Sequence, residues 1–126
     1  MTAHPDVLAA LNDAHSKELT ASKQFHLQEH EFKDGDRRIP KLARWFDRRH
    51  KEASEREHDV RKTAMAHGAT LVPKFGDTSY SDEPGEALEK ACKTLDGLAA
   101  AHERVDVMTR KAGNETDDET RTDRKT

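Results

Sequence analysis

A glutamate stands in a row of apolar residues near the start of the chain. Leu11, Glu18, Phe25 and Phe32 are spaced by seven, so on a helix they share one face with a drift of about 20° per heptad. A carboxylate on an apolar seam is costly unless it is paired, protonated or bound to a metal. Two chemistries therefore suit Glu18: a buried ion pair with one of the chain's arginines, or a hard oxygen ligand for a metal. A second set of residues lies at Glu55-Arg56-Glu57-His58. Residues three apart on a helix are neighbours, so Glu55 and His58 can converge on one transition metal. His26 and His30 form a further pair at i, i+4, for which a solvated surface position is the simpler expectation.

Three segments with a helical period must position these residues. The first runs from about Pro5 to Phe32, with Pro5 suited to a first helical position; its stripe includes Val7, Leu8, Leu11, Leu19, Phe25 and Phe32. Lys33-Asp34-Gly35-Asp36 breaks the pattern. The second runs from about Arg38 to His67, with Asp36 as a suitable N-cap and a stripe of Ile39, Leu42, Phe46, Ala53, Val60 and Ala64. Gly68 is placed to stop it, and a loop follows from Ala69 to Glu83. The third runs from about Pro84 to Ala112 after Asp82 as N-cap, with a stripe of Leu88, Ala91, Cys92, Leu95, Leu98, Ala99, Val105 and Met108. Gly113-Asn114 is expected to end it. The remainder, Glu115 to Thr126, has no apolar residue and is expected to be a polar, irregular tail or a frayed helix. The expected organisation is thus an all-α domain over residues 1–114 and a tail over 115–126.

Composition narrows the function classes. The chain has 126 residues, 33% hydrophobic and 37% charged, and a mean hydropathy of −1.07. So thin a core implies that apolar surface is buried against other copies of the chain, a homo-oligomer. Basic and acidic residues number 22 and 25, for a net charge of −3, so no domain-wide basic field exists to hold nucleic acid. The one basic cluster, from Arg37 to Lys51, reads as a solvated helix face. Cys92 is the only cysteine; among Leu88, Ala91 and Leu95 it is expected to be a small core residue in a reducing compartment. No apolar run approaches transmembrane length and no secretory core follows Met1, so no membrane partner and a cytoplasmic location are expected.

Several stretches resemble a known family. Leu11-Asn12, Glu18-Leu19-Thr20-Ala21 and Gln24-Phe25 resemble the opening helix of bacterioferritins, within the ferritin-like superfamily. Arg38-Ile39-Pro40-Lys41-Leu42-Ala43 is similar to the start of their second helix, Glu55 to His58 to its Glu-x-x-His, and Leu95-Asp96-Gly97 to part of their third. The resemblance spans roughly residues 7 to 112. It implies a four-helix bundle, assembly into hollow cages, oxidation of Fe(II) at a carboxylate-bridged di-iron site, and iron storage as mineral. On that basis Glu18 would be a terminal iron ligand, Glu55 a bridging ligand, and His58 a ligand to one iron. Arg56 stands where the family's haem-binding methionine would be, so no haem is expected.

Thr94 stands where the family has a bridging glutamate, and a fourth helix with a second Glu-x-x-His has no counterpart before Thr126. Two functions follow. In one, iron is held and oxidised at a carboxylate/histidine site shared between helices or chains, metal: Glu18, Glu55, His58, which makes the chain a possible ferroxidase. In the other, the bundle is degenerate and serves as a structural or interaction protein. Phe25-His26 and Leu98 to Val105 also loosely resemble the starvation-type, DNA-protecting relatives.

Helical geometry separates the first two. Counting without a gap from Pro40-Lys41-Leu42-Ala43, the family's ligand positions fall on Ala53 and Arg56. At about 100° per residue, Glu55 lies about 180° and His58 about 120° from Phe46, whereas Glu57 lies only about 20° away. A straight second helix points Glu57 inward and leaves Glu55 and His58 outside; a π-bulge would absorb part of that offset.

Overall fold

The computed structural model describes residues 4–125, with side chains as far as Gly113. Helices α1 (Pro5–Asp34), α2 (Pro40–Ala66) and α3 (Pro84–Lys125) account for its regular structure, and no strand occurs among the described residues. Each helix opens on a proline, whose fixed φ suits the first turn and whose missing N–H is no loss there. His4 caps α1, its Nδ1 accepting from the Asp6 amide. Ile39 rather than Asp36 precedes α2, because the Ile39 amide donates back to the Phe32 carbonyl at 2.9 Å and closes the turn between the helices. At the far end Gly68, with φ 68°, makes a Schellman stop: Ala69 N donates to Ala64 O at 2.8 Å and Gly68 N to Met65 O at 3.0 Å.

Each helix carries a 3-4 seam. In α1 it is Val7, Leu11, Ala14, Glu18, Ala21, Phe25, Gln28 and Phe32, all buried. In α2 it is Ala43, Phe46, His50, Ala53, Glu57, Val60 and Ala64, and in α3 Ala87, Ala91, Thr94, Leu98, Ala101, Val105 and Met108, buried or half-buried throughout. This spacing is the signature of helices packed lengthwise in a bundle. Both α2 and α3 pack on α1, which is therefore the central element. Pairings such as Ser22–His50, Gln24–Thr94 and Glu18–His102 make both antiparallel to α1, so α2 and α3 run the same way and the chain must cross back between them.

That crossing is residues 67–83, which run as an extended strap parallel to α1. Val72 N donates to Asn12 Oδ1 (2.9 Å), Lys74 N to Ser16 Oγ (3.0 Å) and Gly76 N to Thr20 Oγ1 (2.8 Å). Two residues of extended chain advance about 6.6 Å and four helical residues about 6 Å, so alternate strap amides meet successive turns of α1. Gln28 closes the ladder, accepting from Ser81 N at 3.0 Å and donating to Ser81 O at 2.6 Å.

The core divides into two clusters. One is aromatic: Phe46 lies against Phe25, Phe32 and Trp45 with ring centroids 6.2, 5.9 and 4.9 Å apart, beside Ala87, Ala91 and Leu98. The other is aliphatic, built from Val7, Leu11, Ala14, Val60, Ala64 and Ala101. Glu18 lies between them along α1.

Two expectations are corrected. Cys92 is exposed rather than in the core, and Leu88 and Ala99 are exposed with it. The α3 seam that meets α1 is centred about 100° away, so α3 bears two apolar faces and only one is covered. The third helix also does not end at Gly113-Asn114 but continues to Lys125. One glycine in a helix costs only about 1 kcal/mol, and no proline follows to stop it; Thr126 lies outside the described residues.

Candidate functional site

All three helices converge on Glu18, whose side chain is 0% exposed. Its Oε2 accepts a hydrogen bond from Arg56 Nε of α2 at 2.6 Å and another from His102 Nε2 of α3 at 2.7 Å. A carboxylate can only accept in such a pair, so the His102 proton facing it is on Nε2. Desolvating a lone carboxylate costs several kcal/mol, and a close guanidinium with a second donor offsets that cost. The arginine sits at the rim, about one-third exposed, so its stem crosses apolar surface while its head reaches inward. Glu18 Oε1 and Arg56 Nη2 have no partner.

A second acid repeats the arrangement nearby. Glu57 Oε1 accepts from His15 Nε2 at 2.8 Å, and Arg61 pairs with the same carboxylate, its Nη2 donating to Oε2 at 3.2 Å and its Nε 2.6 Å from Oε1. His15 is 4% exposed and its Nδ1 is buried without a partner. Buried Glu18 and half-buried Glu57 thus each have one arginine and one histidine. Beside Arg56 and His102 a groove of about 710 Å³ opens between α2 and α3, floored by Leu11, Val60 and Val105 and flanked by Asp59, Asp106 and Arg110.

The residues expected to bind metal are distributed as a straight α2 requires. Helix α2 is continuous, with no π turn. Glu57 faces inward, while Glu55 and His58 are exposed, and His58 Nδ1 lies 3.3 Å from Arg61 Nη2 of its own helix. The structure therefore does not bring Glu55 and His58 to Glu18. The two gapless ligand positions hold Ala53, fully buried, and Arg56, whose guanidinium is bonded to Glu18. Thr94 hydroxyl accepts from Gln24 Nε2 at 3.1 Å. This donor set does not fit an iron pair: one carboxylate and one imidazole face a fixed positive charge. Among the described residues no three His, Cys, Asp or Glu side chains are gathered to hold a metal.

Sequence spacing singled out Glu18 and left an arginine partner and a metal open; the structure places an arginine, Arg56, on it. Spacing missed His102, whose only signal was its position beside Ala101 on the α3 seam, and His15, which follows seam residue Ala14. No family model matches the chain, and no curated protein or solved structure matches it. No helix among the described residues is long and apolar enough to cross a membrane.

Proposed function

We propose that the chain is a degenerate ferritin-like bundle acting as a structural or interaction protein, its central carboxylate retained as a packing device rather than an iron ligand. The observation that carries this reading is the 2.6 Å contact between Arg56 and Glu18: the chain supplies its own cation at the position an iron would need. The path of the chain supports the ferritin-like part. Two antiparallel helices, one long crossover and a third helix parallel to the second is a bundle with a single long connection, as ferritin-like folds have. The open groove between α2 and α3, and the uncovered α3 face at Leu88, Cys92 and Ala99, support association with other copies.

The test is aerobic Fe(II) oxidation by the full chain, alongside Glu18→Gln. The expected result is oxidation at the rate of buffer for both. Faster oxidation by the wild-type chain, abolished in Glu18→Gln, would overturn this reading in favour of iron oxidation and storage. Sedimentation should show an oligomer that Leu88→Asp weakens.

A further inference from the structure

On the outer side of the α1–α2 pair three imidazoles stand together. His26 and His30 of α1 have ring centroids 4.6 Å apart, edge to face, and His50 of α2 lies 4.9 Å from His26. We propose that His26, His30 and His50 form a surface site for a divalent transition-metal ion, Zn²⁺ being the natural probe, which clamps α1 to α2. This site is independent of the Glu18 centre.

Three observations support it. Two histidines at i, i+4 on one helix face are a recurrent zinc-binding pair, and His50 reaches the same place from the neighbouring helix. Two imidazoles bound to one ion by nitrogens at about 2 Å have ring centres about 5 Å apart, close to both spacings seen. The second observation concerns protonation. His50 Nδ1 lies 2.9 Å from the Ser22 carbonyl oxygen, which can only accept, so Nδ1 carries the proton and the neutral ring keeps its lone pair on Nε2. Metal-binding histidines are oriented by such a bond from the other ring nitrogen to a carbonyl or carboxylate. The third is the charge nearby. Asp34 Oδ2 lies 3.4 Å from His30 Nδ1 and Glu29 Oε2 3.8 Å from His26 Nδ1, so two carboxylates stand behind the α1 rings to offset a divalent charge. Arg49, beside His50 in sequence, is directed elsewhere, onto the Trp45 ring and Glu52.

The rings meet edge to face and tilted, and their nitrogens are not gathered about one point. The α1 rings are about half exposed, and rotation about their broad χ2 torsion brings Nε2 toward the ion. Three imidazoles leave a fourth, tetrahedral position to water.

The experiment is calorimetric titration of the full, chelator-treated chain with Zn²⁺, with melting followed by circular dichroism. The expected result is one equivalent bound and a raised Tm. His50→Ala should weaken binding by ~tenfold or more, and Asp34→Asn by ~tenfold. Because the His50 ring also bonds Ser22, His50→Gln is measured in parallel, and unchanged helicity in either variant establishes that the fold persists. His58→Gln should bind as the wild type. Absence of Zn²⁺ binding, wild-type affinity in the folded His50 variants, or a loss that follows His58 instead would each overturn the proposal.

Discussion

Two polar clusters share helices α1 and α2, the inner one also drawing on α3, and solve their charge in opposite ways. Inside, Glu18 is enclosed, and the chain brings Arg56 and His102 to it. Outside, His26, His30 and His50 stand ring to ring, with a nitrogen of His30 and of His50 turned to an oxygen and solvent at hand. The inner cluster already holds a cation, the Arg56 guanidinium, on Glu18 Oε2. The outer cluster gathers three imidazoles with no arginine or lysine bonded to them among the described contacts. The difference teaches that a buried acid and exposed imidazoles are satisfied differently: the first by donors brought from other helices, the second by their own helix, the neighbouring backbone and water.

The sharpest break of this comparison is Arg56→Ala. It leaves a buried carboxylate with one neutral-capable donor, and the loss of stability in urea should be about 3–5 kcal/mol. Replacing both members by apolar residues, Glu18→Leu with Arg56→Met, should recover most of that loss, since a buried ion pair can be exchanged for packing at little cost. A double substitution as unstable as Arg56→Ala alone would mean that Glu18 does more than accept its partners. Next in size is His102→Phe, which removes one charge-assisted bond at the half-open side and should cost about 1.5–3 kcal/mol. Along the strap, Thr20→Val removes the acceptor for the Gly76 amide; about 1 kcal/mol and faster hydrogen exchange at Gly76 are expected.

The smallest effect belongs to a surface pair, Lys51 and half-exposed Asp47. The hydrogen bond from Lys51 holds the Asp47 carboxyl below the ordinary aspartate value, with lesser help from the Lys51, His50 and Lys33 charges against slight desolvation. A lowered folded value contributes stability that is present above the unfolded pKa and is lost as pH falls through the folded one. Lys51→Ala should therefore flatten the acid limb of the stability profile below about pH 4, with no change at neutral pH beyond the scatter of exposed pairs.

Much of this arrangement was legible in the sequence, and the misses have physical causes. The heptad through Leu11, Glu18, Phe25 and Phe32 identified the α1 face because that helix is covered on two sides and nearly every seam position is apolar. Helix α3 was harder. Its alanines are too small to distinguish one face from another, so Leu88, Cys92 and Ala99 were read into the stripe and Ala87 and Ala101 were left out, which rotated it. The inward direction of Glu57, and the outward direction of Glu55 and His58, followed from 100° per residue once α2 was known to run without a bulge. No periodicity could show that continuity.

The sequence by itself determined three helices, their prolines and the Gly68 stop, and the presence of one acid where an apolar residue belongs. These are local matters, set by backbone preference and by the cost of exposing apolar surface. Which cation meets that acid was decided only by the tertiary structure. Arg56 and His102 lie 38 and 84 residues from Glu18, and nothing short-range distinguishes them from the chain's other arginines and histidines. The meeting of His50 with His26 is of the same kind: it depends on the antiparallel register of α1 and α2, which packing along the whole seam sets.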